Sequence, residues 1–306
     1  VLSARNTARA AAERCLAASG AAPLARRARR GDTLVLAYHN VVPHGEHPAG
    51  DASLHLLQAE FAAQLDILAR THDVVPLPHL LRPRNPARRP RAVITFDDAY
   101  LGAVTAGVRE LAERGMPATF FVAPAFVPGG RFWWDALSDP AQGAPDGALR
   151  AHALDALRGR DAEVRRWAAS RGIAEAALPA HAAAAGEAAL AESARVPGIT
   201  WGTHTWSHPN LARLAPDEVA AELDASMRWL RARFAAVVPW LSYPYGAWSP
   251  ATAAAAREAG LHGALRIDGG WARAGRVDPF AVPRLNVPAG VSRTGFALRA
   301  AGVLWR

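Results

Sequence analysis

Short apolar runs alternate with helical stretches along most of this chain, and that alternation restricts the fold more than any other feature. Leu34-Val35-Leu36-Ala37-Tyr38, bounded by Gly31-Asp32 and Pro43, reads as a buried strand. Leu57, Phe61, Leu65 and Leu68 follow at helical spacing over 55–70, then Val74-Val75 as a short strand. Val93-Ile94-Thr95-Phe96 is a strand, 101–114 a helix ending near Gly115, and Ala118 to Val122 a strand. After a break the rhythm resumes at Ile199-Thr200-Trp201. Pro216-Asp217-Glu218 opens a helix that runs to about Phe234, with acids first and arginines last, as the helix dipole favours. Trp240 to Tyr243 is a strand. Ser249-Pro250 caps a helix closed by Gly260, and short strands are expected over Ala264–Ile267 and Ala281–Val287. This pattern predicts an α/β fold with a mainly parallel sheet. About seven such units predict a barrel, whose active site gathers at the C-terminal strand ends.

Three stretches stand outside the rhythm. Residues 1–30 read as an Ala/Arg-rich N-terminal helical arm, with 31–306 as the main domain. Pro83 to Pro90 reads as a surface loop. Residues 136–198 are Ala-rich, polar and poor in β-branched residues, and read as a helical insertion.

Composition narrows the partners only slightly. All 35 basic residues are Arg and the net charge is +8. Such a balance is compatible with nucleic acid, but no nucleic-acid-binding motif accompanies it, and none is expected to bind. The one dense basic patch, Arg26-Arg27-Ala28-Arg29-Arg30, is either the solvated flank of a terminal helix or a peripheral contact with an anionic membrane. No run approaches the length of a membrane span. Residues 1–30 hold no apolar core of signal-peptide length. The single cysteine, Cys15, excludes an intrachain disulfide. The compartment stays open between cytoplasm and cell envelope, and so does the oligomeric state.

Four motifs sit at strand ends. Thr95-Phe96-Asp97-Asp98 places two adjacent carboxylates after an apolar strand, where burial without a partner or metal is costly. Neighbours in a strand face opposite ways, so both reach one site only if the strand ends there and the backbone turns. The alternative is a pair capping the next helix. In His204-Thr205-Trp206-Ser207-His208, two histidines four apart converge on one point if the segment is helical or tightly turned. Otherwise they are unrelated surface or capping residues. Taken together, the two strand ends offer an Asp and two His to one point, the three-ligand set of a catalytic metal with an open position. Tyr243-Pro244-Tyr245-Gly246 is a turn, either a plain loop or one that aims a backbone N–H into a pocket. His39 ends the first strand, as a general acid or as a hydrogen-bonded structural residue.

In this order the four motifs resemble the polysaccharide deacetylase family, the NodB-homology carbohydrate esterases, over about Leu34 to Val287 with 136–198 excluded. The leading Tyr38-His39-Asn40-Val41 resembles the permuted branch that deacetylates poly-N-acetylglucosamine. The resemblance implies a distorted TIM-like (β/α) barrel, an N-acetylated glycan substrate, and a divalent metal: zinc first, with cobalt or nickel as alternatives. It implies that Asp98, His204 and His208 hold the metal and that Asp97 is the general base. It also implies that the Tyr245 N–H binds the oxyanion and that His39 is the general acid.

Two departures bear on the site. Ala99 stands where the family usually has Gly, and Ser242 stands where it often has the Arg that orients the base. The alternation in Val282-Pro283-Arg284-Leu285-Asn286-Val287 points to Arg284 as the substitute, unless it is an edge residue facing solvent. Among the ten tryptophans, Trp133, Trp134, Trp206 and Trp248 lie near the motifs, and Trp248 is the expected substrate contact. The rival readings are a carbohydrate-binding pseudoenzyme, favoured by the missing Arg, and a metal hydrolase of another small amide.

Overall fold

The computed structural model describes residues 2–83, 88–127, 129–273 and 275–304. Positions 84–87 of the expected Pro83–Pro90 loop lie outside the described residues. The strands are β1 (Asp32–Tyr38), β2 (Asn40–Val42), β3 (His55–Leu57), β4 (Asp73–Val74), β5 (Arg91–Phe96), β6 (Ala118–Val122), β7 (Ser138–Asp139) and β8 (Ala144–Pro145). They continue as β9 (Ile199–Thr203), β10 (Val237–Ser242), β11 (Gly263–Leu265), β12 (Trp271–Arg273) and β13 (Leu285–Asn286). Nine of them form one sheet in the order β11-β10-β9-β6-β5-β1-β12, with β4 beside β5 and β13 beside β1. All these pairs are parallel except β1–β12. The sheet is curled into a distorted TIM-like barrel. The extended segment 282–286 joins its ends: Val282 bridges Leu265 of β11, and Leu285 pairs with Leu36 of β1.

The helices are α1 (Leu2–Ala18), α2 (Ala21–Ala28), α3 (Gln58–Thr71), α4 (Val108–Glu113), α5 (Trp133–Ala136) and α6 (Gly147–Asp155). They continue as α7 (Asp161–Ser170), α8 (Glu187–Ser193), α9 (Pro216–Arg233), α10 (Pro250–Glu258) and α11 (Arg293–Ala300). The strand pleat divides the core in two. Leu34, Leu36 and Tyr38 of β1 face outward, where α3 buries Phe61, Leu65 and Leu68 against the sheet. Each such side chain stabilises the fold by about 1.5–3 kcal/mol. Val35, Val93, Phe121, Leu265 and Val282 fill the barrel interior, with Leu77 and Leu80 packed beneath them.

Several local expectations shift. The helix expected over 55–70 begins only at Gln58, because His55–Leu57 pairs in parallel with Asn40–Val42. The helix expected over 101–114 contains a π-helical stretch, Ala103–Gly107, before α4. Residues 136–198 hold α6, α7 and α8, together with a small β7–β8 pair. Strand β12 and helix α11 had no counterpart in the predicted pattern. The N-terminal arm is not free of the body: α1 packs on α11, and Glu13 accepts a hydrogen bond from the Ser292 hydroxyl. Among the described residues no helix is long and apolar enough to cross a membrane.

Candidate active site

Strand alternation carries the first carboxylate inward. Val93 faces the barrel interior, so Thr95 and Asp97 follow on the same face. The Asp97 N–H still donates to the Tyr38 carbonyl at 2.9 Å, after which the strand ends. Asp98 then adopts φ 67° and Ala99 φ 49°. This left-handed turn swings the second carboxylate to the same side as the first. Ala99 therefore occupies the conformation that glycine would take without strain.

A similar turn brings the two histidines together. His204 continues β9, its N–H donating to the Val122 carbonyl at 2.9 Å. Thr205 (φ 66°) and His208 (φ 58°) are left-handed, so the segment is a tight turn and not a helix. Glu222 of α9 holds this turn: its carboxylate accepts from the Trp206 and Ser207 N–H groups, both at 2.8 Å, and from the Ser207 hydroxyl at 2.6 Å.

Three ligand atoms then meet. Asp98 Oδ1 is 3.5 Å from His204 Nε2 and 3.3 Å from His208 Nε2, and the two Nε2 atoms are 3.1 Å apart. All three residues are buried, and Asp98 Oδ1 has no hydrogen-bond partner among the described residues. His204 Nδ1 donates to the Ser242 carbonyl at 2.7 Å, which leaves the Nε2 lone pair facing the group. A tetrahedral ion with bonds of about 2.0–2.1 Å has ligand edges of about 3.3–3.4 Å, so the donor set fits a divalent cation. Burial pushes the Asp98 carboxyl up to about 6 and pulls His204 and His208 down to about 4.

Arg284 lies between the Val282 and Leu285 pairings that join the sheet ends, and it points inward. It is 0% exposed, which removes the solvent-facing alternative. Its Nη1 and Nη2 donate to Asp97 Oδ1 and Oδ2 at 2.8 and 2.7 Å, the bidentate arrangement. Further donations reach Thr95 Oγ1 at 3.1 Å, Ser242 Oγ at 2.8 Å and the Arg266 carbonyl at 3.0 Å. Ser242, the residue in the family's Arg position, is thus an acceptor for the substitute. Burial opposes ionisation of Asp97, but the Arg284 charge outweighs it and holds the carboxyl well below the usual range.

Asp97, Asp98, His204 and His208 line one cavity of about 180 Å³, together with His39, Trp134, Tyr245, Asp51, Ser53 and Arg150. His39 reaches it by the pleat of β1, on the face of Val35. Burial lowers the His39 pKa, and the Asp98 and Asp97 carboxylates act against that. Tyr245 is left-handed (φ 59°) in the Pro244–Gly246 turn. Its ring stands edge-on to His208, centroids 4.6 Å apart, while its hydroxyl donates to the Gly159 carbonyl at 3.2 Å. Trp248, the indole expected at the substrate, is not among the residues lining this cavity. The wall indole is Trp134, 4.7 Å from the His208 ring, whereas Trp248 lies outside the cavity with the Arg266 guanidinium 5.6 Å from its ring. Sequence reasoning also missed Glu222, whose signal lies only in its contact across the fold, and the rim formed by Asp51, Ser53 and Arg150.

A family model described as polysaccharide deacetylase matches residues 84–264, more than half of the chain. No curated protein matches. Similar solved structures include IcaB from Ammonifex degensii, at 20% identity and TM-score 0.61, covering 90% of this chain and 98% of that one. The deacetylase PplD from Streptococcus pyogenes, in complex with acetate, is 16% identical at TM-score 0.60, with 86% and 96% covered. The BpsB deacetylase domain from Bordetella bronchiseptica is 16% identical at TM-score 0.56, with 85% and 97% covered. At these identities the likeness concerns the fold.

Proposed function

This chain belongs to the polysaccharide deacetylase family, and from that premise we propose that it is a metal-dependent hydrolase removing N-acetyl groups from an amino-sugar glycan. The observation that carries the reading is the Asp98, His204 and His208 triangle in one cavity with the Arg284-paired Asp97. In this reading those three residues hold a divalent ion, zinc by its preference for nitrogen and oxygen donors in tetrahedral sites. When bound, such an ion supplies Lewis acidity toward a carbonyl and toward water. Asp97, kept anionic and held in one rotamer by Arg284, accepts the proton of the attacking water. The Tyr245 N–H donates to the oxygen on which charge develops. His39, which lines the same cavity, returns a proton to the leaving amine. Trp134 and Tyr245 keep bulk water from the reacting atoms.

A glycan is favoured over a small amide by the space beyond the cavity. Asp51, Ser53 and Arg150 also border an open groove of about 1200 Å³, walled by 48–60, 142–150 and 289–294. A small amide makes no use of such a groove, and an extended chain does. The pseudoenzyme reading loses its main support, because Arg284 pairs with Asp97 in place of the missing Arg. The test is acetate release by the zinc-loaded chain from N-acetylglucosamine oligomers, run beside formamides and cyclic imides. Release from the oligomers alone is expected. Turnover confined to the small amides, or absent from all, would overturn the reading.

A further inference from the structure

Asp135 is fully buried, and the proposed chemistry does not use it. It sits in α5, a single turn, and its carboxylate gathers three donors from two segments, the 51–55 stretch and Tyr100. Oδ1 accepts from the Asp51 N–H at 2.8 Å and from His55 Nε2 at 2.9 Å, and Oδ2 accepts from the Tyr100 hydroxyl at 2.5 Å. Each of these donors leads toward the cavity. The Tyr100 hydroxyl also accepts from Trp134 Nε1 at 2.9 Å, and the Trp134 ring packs beside His208. The Asp51 carboxylate accepts from the Ser53 hydroxyl at 2.6 Å and from Arg150 at 3.3 Å, the three residues of the rim shared by cavity and groove. His55 Nδ1 accepts from the Asn40 amide at 2.9 Å, and Asn40 is the residue after His39. The approach of Asp135 to the rim loop is close. A Cβ at Gly50, where φ is +83°, would stand 2.4 Å from Asp135 Oδ1, so this position takes only glycine.

We propose that Asp135 is a positioning residue that fixes two walls of the cavity at once: the Trp134 indole beside His208, through Tyr100, and the Asp51-Ser53-Arg150 rim, through the Asp51 N–H and His55. A buried carboxylate is costly unless its hydrogen bonds are made, and here they come from both the 51–55 stretch and Tyr100. The two walls are separable by chemistry. Asparagine at 135 keeps an oxygen for Asp51 and His55 but turns an NH₂ toward the Tyr100 hydroxyl, so it releases only the indole wall. Alanine releases both.

The activity arm of the test rests on the deacetylase reading; the exchange arm does not. The zinc-loaded full chain is compared with Asp135→Asn, Tyr100→Phe and Asp135→Ala. Measured are kcat and KM on an N-acetylglucosamine oligomer, zinc affinity by chelator competition, and hydrogen exchange over residues 48–57. Asp135→Asn and Tyr100→Phe are expected to lose about tenfold in kcat, the scale of lost outer-shell support, with KM, rim exchange and zinc affinity near wild type. Asp135→Ala is expected to add a rise in KM and faster exchange at the rim, again with zinc retained. The proposal is overturned if Tyr100→Phe keeps wild-type kcat, if Asp135→Asn disturbs KM and rim exchange as much as Asp135→Ala does, or if zinc affinity falls in step with activity. Should Asp135→Ala not fold, the other two variants still decide. If the wild-type chain releases no acetate, the deacetylase reading fails, while rim exchange still reports whether Asp135 holds the loop.

Discussion

Arg284 places each of its five N–H groups on an acceptor, two of them on Asp97. Removing it leaves a buried carboxylate without its counter-charge. Arg284→Ala is expected to cost about 3–5 kcal/mol in chemical denaturation and to lower kcat sharply. Arg284→Lys should recover only part of both, because an ammonium cannot make two parallel bonds. Unchanged turnover in Arg284→Ala would contradict the pairing's role. The pH sign follows from the depressed Asp97 pKa. Its stability contribution is complete above the unfolded value of about 3.9 and is lost as pH falls through the folded value, so Arg284→Ala should weaken the acid limb of the stability profile. Zinc binding at the proposed Asp98, His204 and His208 site would have its own pH dependence, because protons compete for the ligands. With Asp98 near 6 and the two histidines near 4, affinity should be level above about pH 6. It should fall with a slope of about one proton below that and more steeply below about pH 4. Chelator competition across this range checks it; a continued rise above pH 7 would assign the ligands wrongly.

At the scale of elements, the site is made where strands end in left-handed residues. Asp98, Ala99, Thr205, His208 and Tyr245 all have positive φ, and none is glycine. Such residues cost about 1–2 kcal/mol each and persist only where surrounding packing dictates them. One packing contact is specific enough to test. Gly102, at the start of the helix leading into the π-helical stretch, lies so close to β2 that a Cβ would stand 2.2 Å from the Val41 carbonyl oxygen and 2.6 Å from Asn40 Oδ1. Gly102→Ala is expected to destabilise by about 1–3 kcal/mol, the range for overpacking, and to lower activity by displacing the strand that follows His39. A variant with wild-type melting temperature and kcat would show that β2 can move freely. The need for a turn at the Asp pair was legible, because adjacent strand residues cannot share a face. That Ala99 would accept the strained conformation was not, because the force that holds it comes from packing distant in sequence.

Across the whole molecule, what the sequence makes legible is what local periodicity encodes: the strand–helix rhythm, the barrel, and the motifs at its mouth. Alternation also aimed Arg284 inward, although its partner Asp97 lies 187 positions away. What stayed hidden depends on contacts between segments with no common pattern. Examples are Glu222 beneath the His204–His208 turn, Asp135 among its three donors, and Trp134 rather than Trp248 at the wall. Barrel closure belongs to the same class, since the short pairings at Val282 and Leu285 that join β11 to β1 depend on a register that composition does not reveal. In the proposed reading the two adjacent carboxylates divide the work, Asp98 holding the ion and Asp97 moving the proton. The most direct measurement is bound zinc and acetate release, taken together, in Asp97→Asn and Asp98→Ala. Asp97→Asn is expected to keep wild-type zinc and lose turnover, and Asp98→Ala to lose both. Loss of zinc in Asp97→Asn, or retained zinc with turnover in Asp98→Ala, would contradict it.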